Sequence, residues 1–246
     1  VTGRAAASEA VVFAYLDEPP FCFPQPGGAA LGSDVELVSE ALRRLGIASF
    51  EMRLTSFAEL LPGLIDGRWS ITTPLFITPE RRKSVDFSRP VWALGDGLLV
   101  RHGDEARFGS YAALARAPGA RLVVVADQVQ ELSGLTAGIP RERFLRVATQ
   151  EAAVQAVRER RAEAYASVAM AHRGFLSRSP DPGLAVIAIA AETGGREPAK
   201  GAFAFARSQG ALRARFDAAL DALIGSDWHR NMMARYGFAT ADFDLG

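Results

Sequence analysis

The sequence has one cysteine, three histidines, no net charge and no long apolar run, and each shortage removes a class of function. Cys22 alone supports no intrachain disulfide and no thiolate metal site. His102, His172 and His229 lie far apart and outside any ligand-type spacing, so no metal or other cofactor is expected. Lys plus Arg and Asp plus Glu both number 28, which leaves no electrostatic footprint for nucleic acid or an anionic membrane. No apolar run approaches the ~20 residues that cross a bilayer. The opening VTGRAAASEA is small and polar, with no charged-then-apolar leader. Such a start suits an exported chain after removal of its signal and a cytosolic chain alike.

What is present is a globular core. At 246 residues and 49% hydrophobic content, the chain has material for one large or two modest domains. AVVFAYL (10–16) is a short apolar run suited to a buried strand, and DEPPFCFPQPGG after it reads as a loop. From Ser33 a helix is expected, with Val35, Val38, Leu42 and Leu45 at helical spacing and Gly46 as the stop. FEMRL (50–54) reads as a strand. Ser56 and Glu59 form a capping box for the helix FAELLPGLIDG. Trp69 to Ile77 is a strand that runs into Thr78-Pro79, an N-cap and first-turn pair that predicts a short helix from Pro79.

A second unit follows. GDGLLVRHGD (95–104), ARLVVVAD (120–127), FLRVAT (144–149) and AYASVAM (164–170) read as strands, with one more near residues 186 to 190. QEAAVQAVRERRAEA reads as a helix, GAFAFAR (201–207) as a strand, and two helices close the chain. This alternation predicts an α/β fold of two lobes, each a mostly parallel sheet flanked by helices. Residues 1–100 with 202–246 form lobe one, residues 101–201 form lobe two, and strands at 97–101 and 201–205 cross between them as a hinge. Small ligands bind in such interlobe clefts, beyond the carboxyl ends of parallel strands.

Five residues fall at the strand ends of the first unit: Glu18, Phe21, Phe57, Phe76 and Arg81. Arg81 stands in the first turn of the expected helix, where the dipole mildly disfavours a cation, so an anionic partner is expected. Three rings, one carboxylate and one guanidinium suit a small zwitterion. The rings attract a spread or methylated cation, Arg81 clamps a carboxylate with two parallel bonds, and Glu18 takes a ligand N–H. Taken singly, each has an ordinary reading as core or solvated loop. What favours function is that all five share one sheet edge.

The stretch TTPLFITPERRKSVDFSRP, the loop LDEPPF, the capping box before LLPGLIDG and the ending DWHRNMMARYGF resemble the polar amino-acid-binding family of solute-binding proteins of ABC importers. The resemblance covers nearly the whole chain. It implies the type II periplasmic-binding-protein fold, a periplasmic or lipid-anchored extracytoplasmic monomer, and a membrane permease as partner. It places the ligand α-carboxylate on Arg81 and a stacking ring at Phe57. The acid that such proteins use on lobe two for the α-ammonium is replaced by Val168, beside Ser167. The lobe-two anion turn reads ADQVQE, with Asp127, Gln128 and Val129 as expected contacts. Thr73 and Pro74 on the strand before Phe76 join the expected site. Within the family, the set Glu18, Phe21, Phe57, Phe76 and Arg81 resembles the ectoine and hydroxyectoine binders, with Phe57 where some of them carry Tyr.

Two rival classes share this fold. A dehydratase needs a positioned acid of shifted pKa, for which Glu18 and Glu131 are candidates, but no nucleophile–base pair and no metal set accompanies them. A sensor ectodomain would continue into a membrane segment. Binding without catalysis is therefore the expectation, with ordinary polar amino acids as the alternative ligands.

Overall fold

In the computed structural model, which describes residues 10–190 and 197–245, the first apolar run forms β1 (Val12–Tyr15). The Pro- and Gly-rich stretch after it, expected as loop throughout, contains a small hairpin of β2 (Phe23–Pro24) and β3 (Ala30–Leu31). α1 (Ser33–Arg44) buries Val35, Val38 and Leu42 as its spacing predicts, and β4 (Glu51–Leu54) follows. Ser56 is the N-cap of α2 (Phe57–Ile65), but its side chain makes no capping bond. The expected capping box is absent because Glu59 is drawn to Arg68, at 2.6 Å.

β5 (Ile71–Phe76) leads to the segment from which a helix was expected at Pro79. Only a single 3₁₀ turn forms, over Arg81–Lys83, with Thr78 Oγ1 accepting the Arg81 backbone N–H at 3.2 Å. The physical reason is length: β6 (Asp86–Phe87) starts almost at once and pairs into the sheet, leaving no room for further turns. A single turn also has little dipole, so the argument that placed Arg81 against one loses its force.

β7 (Trp92–Leu94) and β8 (Asp96–Arg101) come next, then α3 (Glu105–Phe108), α4 (Tyr111–Arg116) and β9 (Leu122–Val125). α5 (Gln130–Thr136), β10 (Phe144–Val147), α6 (Gln150–Arg158) and β11 (Ala164–Val168) continue the second unit. α7 (Ala169–Arg178) follows β11 without a break, so no loop signal announced it in the sequence. β12 (Leu184–Ala188), β13 (Ala199–Phe205), α8 (Gly210–Leu223) and α9 (Asp227–Arg235) complete the described strands and α-helices.

The strands form two principal sheets. One has the order β4-β1-β5-β13-β6 with β7 also on β13, and the other has the order β10-β9-β11-β8-β12. Each has a parallel core, β4-β1-β5 in the first and β10-β9-β11 in the second, extended by antiparallel strands. The sheets are therefore mixed. β8 pairs on both sides within the second sheet, so the chain changes unit at Gly95 rather than along a strand at 97–101. β13 belongs to the first sheet from Ala199 onward, and residues 201–205 do not cross. The return path includes residues 191–196, outside the described part of the chain.

Apolar contacts help tie the units together beside the cleft. The start of α7 sends Met170 and Ala171 into the apolar cluster built on Phe13, Phe203 and α1 of the first unit. Phe57, at the head of α2, packs against apolar clusters of both units.

Candidate functional site

The chain leaves β1 into a tight loop in which the Glu18 backbone N–H donates to Cys22 O at 2.8 Å and those of Phe21 and Cys22 return to Glu18 O. Pro19–Pro20 within it is a cis peptide. This loop, the start of α1, the head of α2, β5 with the turn after it, and β7 supply the first-unit wall of a cavity of about 50 Å³. The second-unit wall is Gln128, Val129 and Gln130 before and at the start of α5, with Ser167 and Val168 at the end of β11. A wider cleft of about 270 Å³ adjoins it, sharing Glu18, Phe57 and Gln128.

Ten of the eleven residues expected in the site line this cavity: Glu18, Phe21, Phe57, Thr73, Pro74, Phe76, Arg81, Gln128, Val129 and Val168. Asp127 does not. Its φ of 67° turns its exposed side chain away, and it is the backbone carbonyl that faces the site. An aspartate tolerates this left-handed backbone better than most residues.

Arg81 is 92% buried, with a relative exposure of 8%. Its Nη1 donates to Phe76 O at 3.0 Å and its Nη2 to Asp127 O at 3.2 Å, a bond from one unit to the other. The guanidinium carbon lies 5.5 Å from the Phe57 ring centre, within cation–π range. The rings of Phe21 and Phe76 do not touch each other in isolation; both pack on Trp92, at centroid distances of 5.8 and 5.2 Å. Trp92 itself lies flat over Gly201, where a Cβ would come within 2.1 Å of the indole. Trp92 was not foreseen, because a lone tryptophan in a strand carries no signal of what it stacks on.

The second unforeseen residue is Asp34. It is buried at the start of α1, where its Oδ2 accepts the Thr73 hydroxyl at 2.7 Å and lies 3.8 Å from Cys22 Sγ. Thr73 thus spends its proton on Asp34. Burial lifts the Asp34 carboxyl to about 7, against the hydrogen bond from Thr73 and smaller help from the Trp92, Cys22 and Ser33 side chains. The Trp92 indole N–H makes no hydrogen bond of normal geometry there. Glu18 is lifted to about 7 as well, by burial first and then by the negative charge of Asp34, while the Gln128 amide opposes the rise. Two carboxyls and one guanidinium therefore line one cavity. Glu131, the other acid considered for catalysis, is outside it and pairs with Arg146 on the surface of the second unit.

In chemical terms the cavity offers a cation, two acids whose charge burial resists, amide oxygens and an aromatic wall. Among the described residues no group of three His, Cys, Asp or Glu side chains could hold a metal ion, and no helix is long and apolar enough to cross a membrane.

The model of the bacterial extracellular solute-binding proteins, family 3, matches residues 11–239. A probable amino-acid ABC transporter periplasmic-binding protein of Sinorhizobium fredii, y4tE, is 29% identical over 232 residues, covering 93% of this chain and 77% of the relative. Among solved structures, that of EhuB in complex with hydroxyectoine superposes with a TM-score of 0.84 at 26% identity, covering 93% of this chain and 88% of that one. An ancestral amino-acid-binding protein, AncCDT-1, described as a precursor of cyclohexadienyl dehydratase, superposes with a TM-score of 0.77. At 20% identity, over 92% of this chain and 96% of that one, it shares the fold alone. The fold is the type II periplasmic-binding fold.

The chain belongs to the bacterial extracellular solute-binding proteins, family 3.

Proposed function

From that membership we propose that the protein is the periplasmic solute-binding component of an ABC uptake system, capturing a small zwitterion and delivering it to a membrane permease as a monomer. The ligand carboxylate is held by Arg81. Its cation, spread over a ring or carrying N–H groups, sits against Phe21, Phe57 and Phe76 and is met by Glu18. The observation that carries this reading is the convergence of Arg81, Glu18 and three phenylalanines on one cavity. The 26%-identical likeness to a hydroxyectoine complex supports ectoine or a similar compatible solute as the ligand class. Lobe one comprises the chain up to Gly95 and from Ala199 onward, and lobe two begins at Asp96 and includes β12. They close on the ligand by a hinge motion.

A second reading rests on Asp34. With Val168 in place of the lobe-two acid, an ordinary α-amino acid would lack its ammonium partner, but Glu18 and Asp34 together supply one from lobe one. The curated relative is named for amino acids, which fits polar amino acids equally well. Catalysis is not part of either reading. The raised Glu18 meets one requirement of a dehydratase, and Glu131, the other candidate acid, lies away from the cavity.

A thermal-shift screen of ectoine, hydroxyectoine, glycine betaine, arginine, glutamine and lysine separates the two. A ligand at 100 times its dissociation constant stabilises the fold by about 2.7 kcal/mol. Stabilisation by the ectoines alone supports the compatible-solute reading. Stabilisation by the amino acids alone replaces it with the second. Loss of any of these compounds during incubation, detected by product analysis, would contradict both.

A further inference from the structure

Val168 leaves the end of β11 without an acid, yet a carboxylate is present one strand away. In the antiparallel pairing of β11 with β8, Val168 stands directly opposite Asp96. Asp96 is buried at 1% exposure. It does not reach the cavity itself. Its Oδ1 accepts Gln130 Nε2 at 3.1 Å, and its Oδ2 accepts Ser133 Oγ at 2.7 Å and the Tyr111 hydroxyl at 3.1 Å.

This network fixes the Gln130 amide. Gln130 Nε2 donates to Asp96 Oδ1, so the NH₂ end of the amide faces Asp96 and the oxygen faces away from it. Gln130 is 2% exposed and lines the cavity, and no described residue donates to its Oε1. A second amide oxygen nearby, that of Gln128, is buried without a partner. The first-unit wall adds the carboxyls of Glu18 and Asp34. The space is therefore rich in acceptors. A ligand able to donate satisfies them, and a ligand without N–H groups leaves them dry and unpaired.

We propose that Gln130, its amide turned by the buried carboxylate of Asp96, is the second-unit acceptor for a ligand N–H and sets the preference for N–H-bearing cations over fully methylated ones. Gln130 touches the ligand, and Asp96 is a positioning residue acting through it. The inference rests on the cavity being the solute site, as proposed above.

The test is calorimetric titration of the wild-type chain, Asp96→Asn, Gln130→Met and the double variant with ectoine, which bears N–H groups, and glycine betaine, which bears none. Asn at position 96 can present its own NH₂ to Gln130, so the amide turns and offers a donor where an acceptor stood. The expected result is a loss of ectoine affinity of about tenfold or more in each single variant. Betaine affinity changes by less than roughly twofold, and the double variant is no worse than Gln130→Met alone, as for residues acting in series. Equal losses for both ligands would assign Asp96 and Gln130 a structural role only and overturn the proposal. Unchanged ectoine affinity in both single variants would overturn it too, as would tighter wild-type binding of betaine than of ectoine. If the wild type ignores ectoine and binds arginine or glutamine, the compatible-solute reading fails by itself. The same variants are then compared with that ligand, and an affinity unaffected by them overturns the inference separately. Binding of none of the four compounds to the wild type would overturn both.

Discussion

The Arg81 guanidinium donates through Nη2 to the backbone oxygen of Asp127, 3.2 Å away, and this bond spans the cleft between the two sheets. It requires the positive φ of Asp127, which presents a carbonyl where a side chain would otherwise stand. The residue proposed to grip the ligand carboxylate is thus also a link between the units. Arg81→Ala is expected to weaken ligand binding by roughly 2–5 kcal/mol, the usual cost of truncating one partner of a desolvated charge pair. Arg81→Lys is expected to restore only part of it, because an ammonium keeps the charge without the two-pronged geometry. Titration of both variants with the best ligand of the screen checks this; equal affinities for Arg81→Lys and the wild type would count against a bidentate clamp.

Two of the three rings of the aromatic wall, Phe21 and Phe76, are joined through Trp92. Phe76 meets Trp92 edge-on at 87°, and Phe21 packs on the same indole. Phe76→Ala is expected to weaken a ring-held cation by about 1–3 kcal/mol, from lost cation–π attraction and lost packing. A near-neutral effect in titration would point to an ordinary amino-acid site.

Glu18 and Asp34 give the ligand-free protein a distinctive pH dependence. Both carboxyls rise from ordinary values near 4.5 and 3.8 to about 7, burial being the main cause. Between those limits the folded state binds more protons than the unfolded state, so stability falls as pH rises through the window. The melting temperature of the free protein is expected to drop between about pH 4 and pH 7 through these two groups. Glu18→Gln and Asp34→Asn are each expected to flatten that slope. A cationic ligand reverses the preference, because it favours the ionised acids; its affinity is expected to rise over the same range. Scanning calorimetry across pH, with and without ligand, measures both. A melting temperature that climbs steadily over this range in the free protein, and climbs alike in both variants, would remove the pair from the account.

One glycine lets the two units pack closely beside the cleft. Gly174 of α7 lies against the loop after β1, where a Cβ would come within 2.4 Å of both Pro19 O and Pro20 Cδ. Gly174→Ala is expected to hold the units apart, leaving the fold intact, enlarging the radius seen by scattering under saturating ligand, and lowering affinity by roughly tenfold. A variant as compact and as tight-binding as the wild type would show that this contact does not gate closure.

The sequence made some of this legible and hid the rest for physical reasons. Arg81, Phe76 and Phe57 could be read because they sit at strand ends beside turn chemistry such as Thr78-Pro79. Asp34 could not, since an acid in a helix's first turn is commonplace and its burial depends on Thr73 arriving from β5. Asp96 was hidden for the same reason: its partners Tyr111, Gln130 and Ser133 come from two helices distant in sequence. The position of Asp127 in ADQVQE points its side chain to the site, but a left-handed backbone that the sequence does not signal turns the carbonyl inward instead. The helix expected at Pro79 shrank to one 3₁₀ turn because strand pairing at Asp86 outweighed local helix signals.

The most direct measurement is titration calorimetry of the unmodified protein and Arg81→Ala with ectoine, hydroxyectoine, arginine and glutamine. The expected result is tight binding of an ectoine by the unmodified protein, weak or absent binding of the two amino acids, and loss of ectoine binding in Arg81→Ala. Tight binding of arginine or glutamine with no response to either ectoine, or ectoine binding that survives Arg81→Ala unchanged, would contradict a zwitterion site built on Arg81, Glu18 and the aromatic wall.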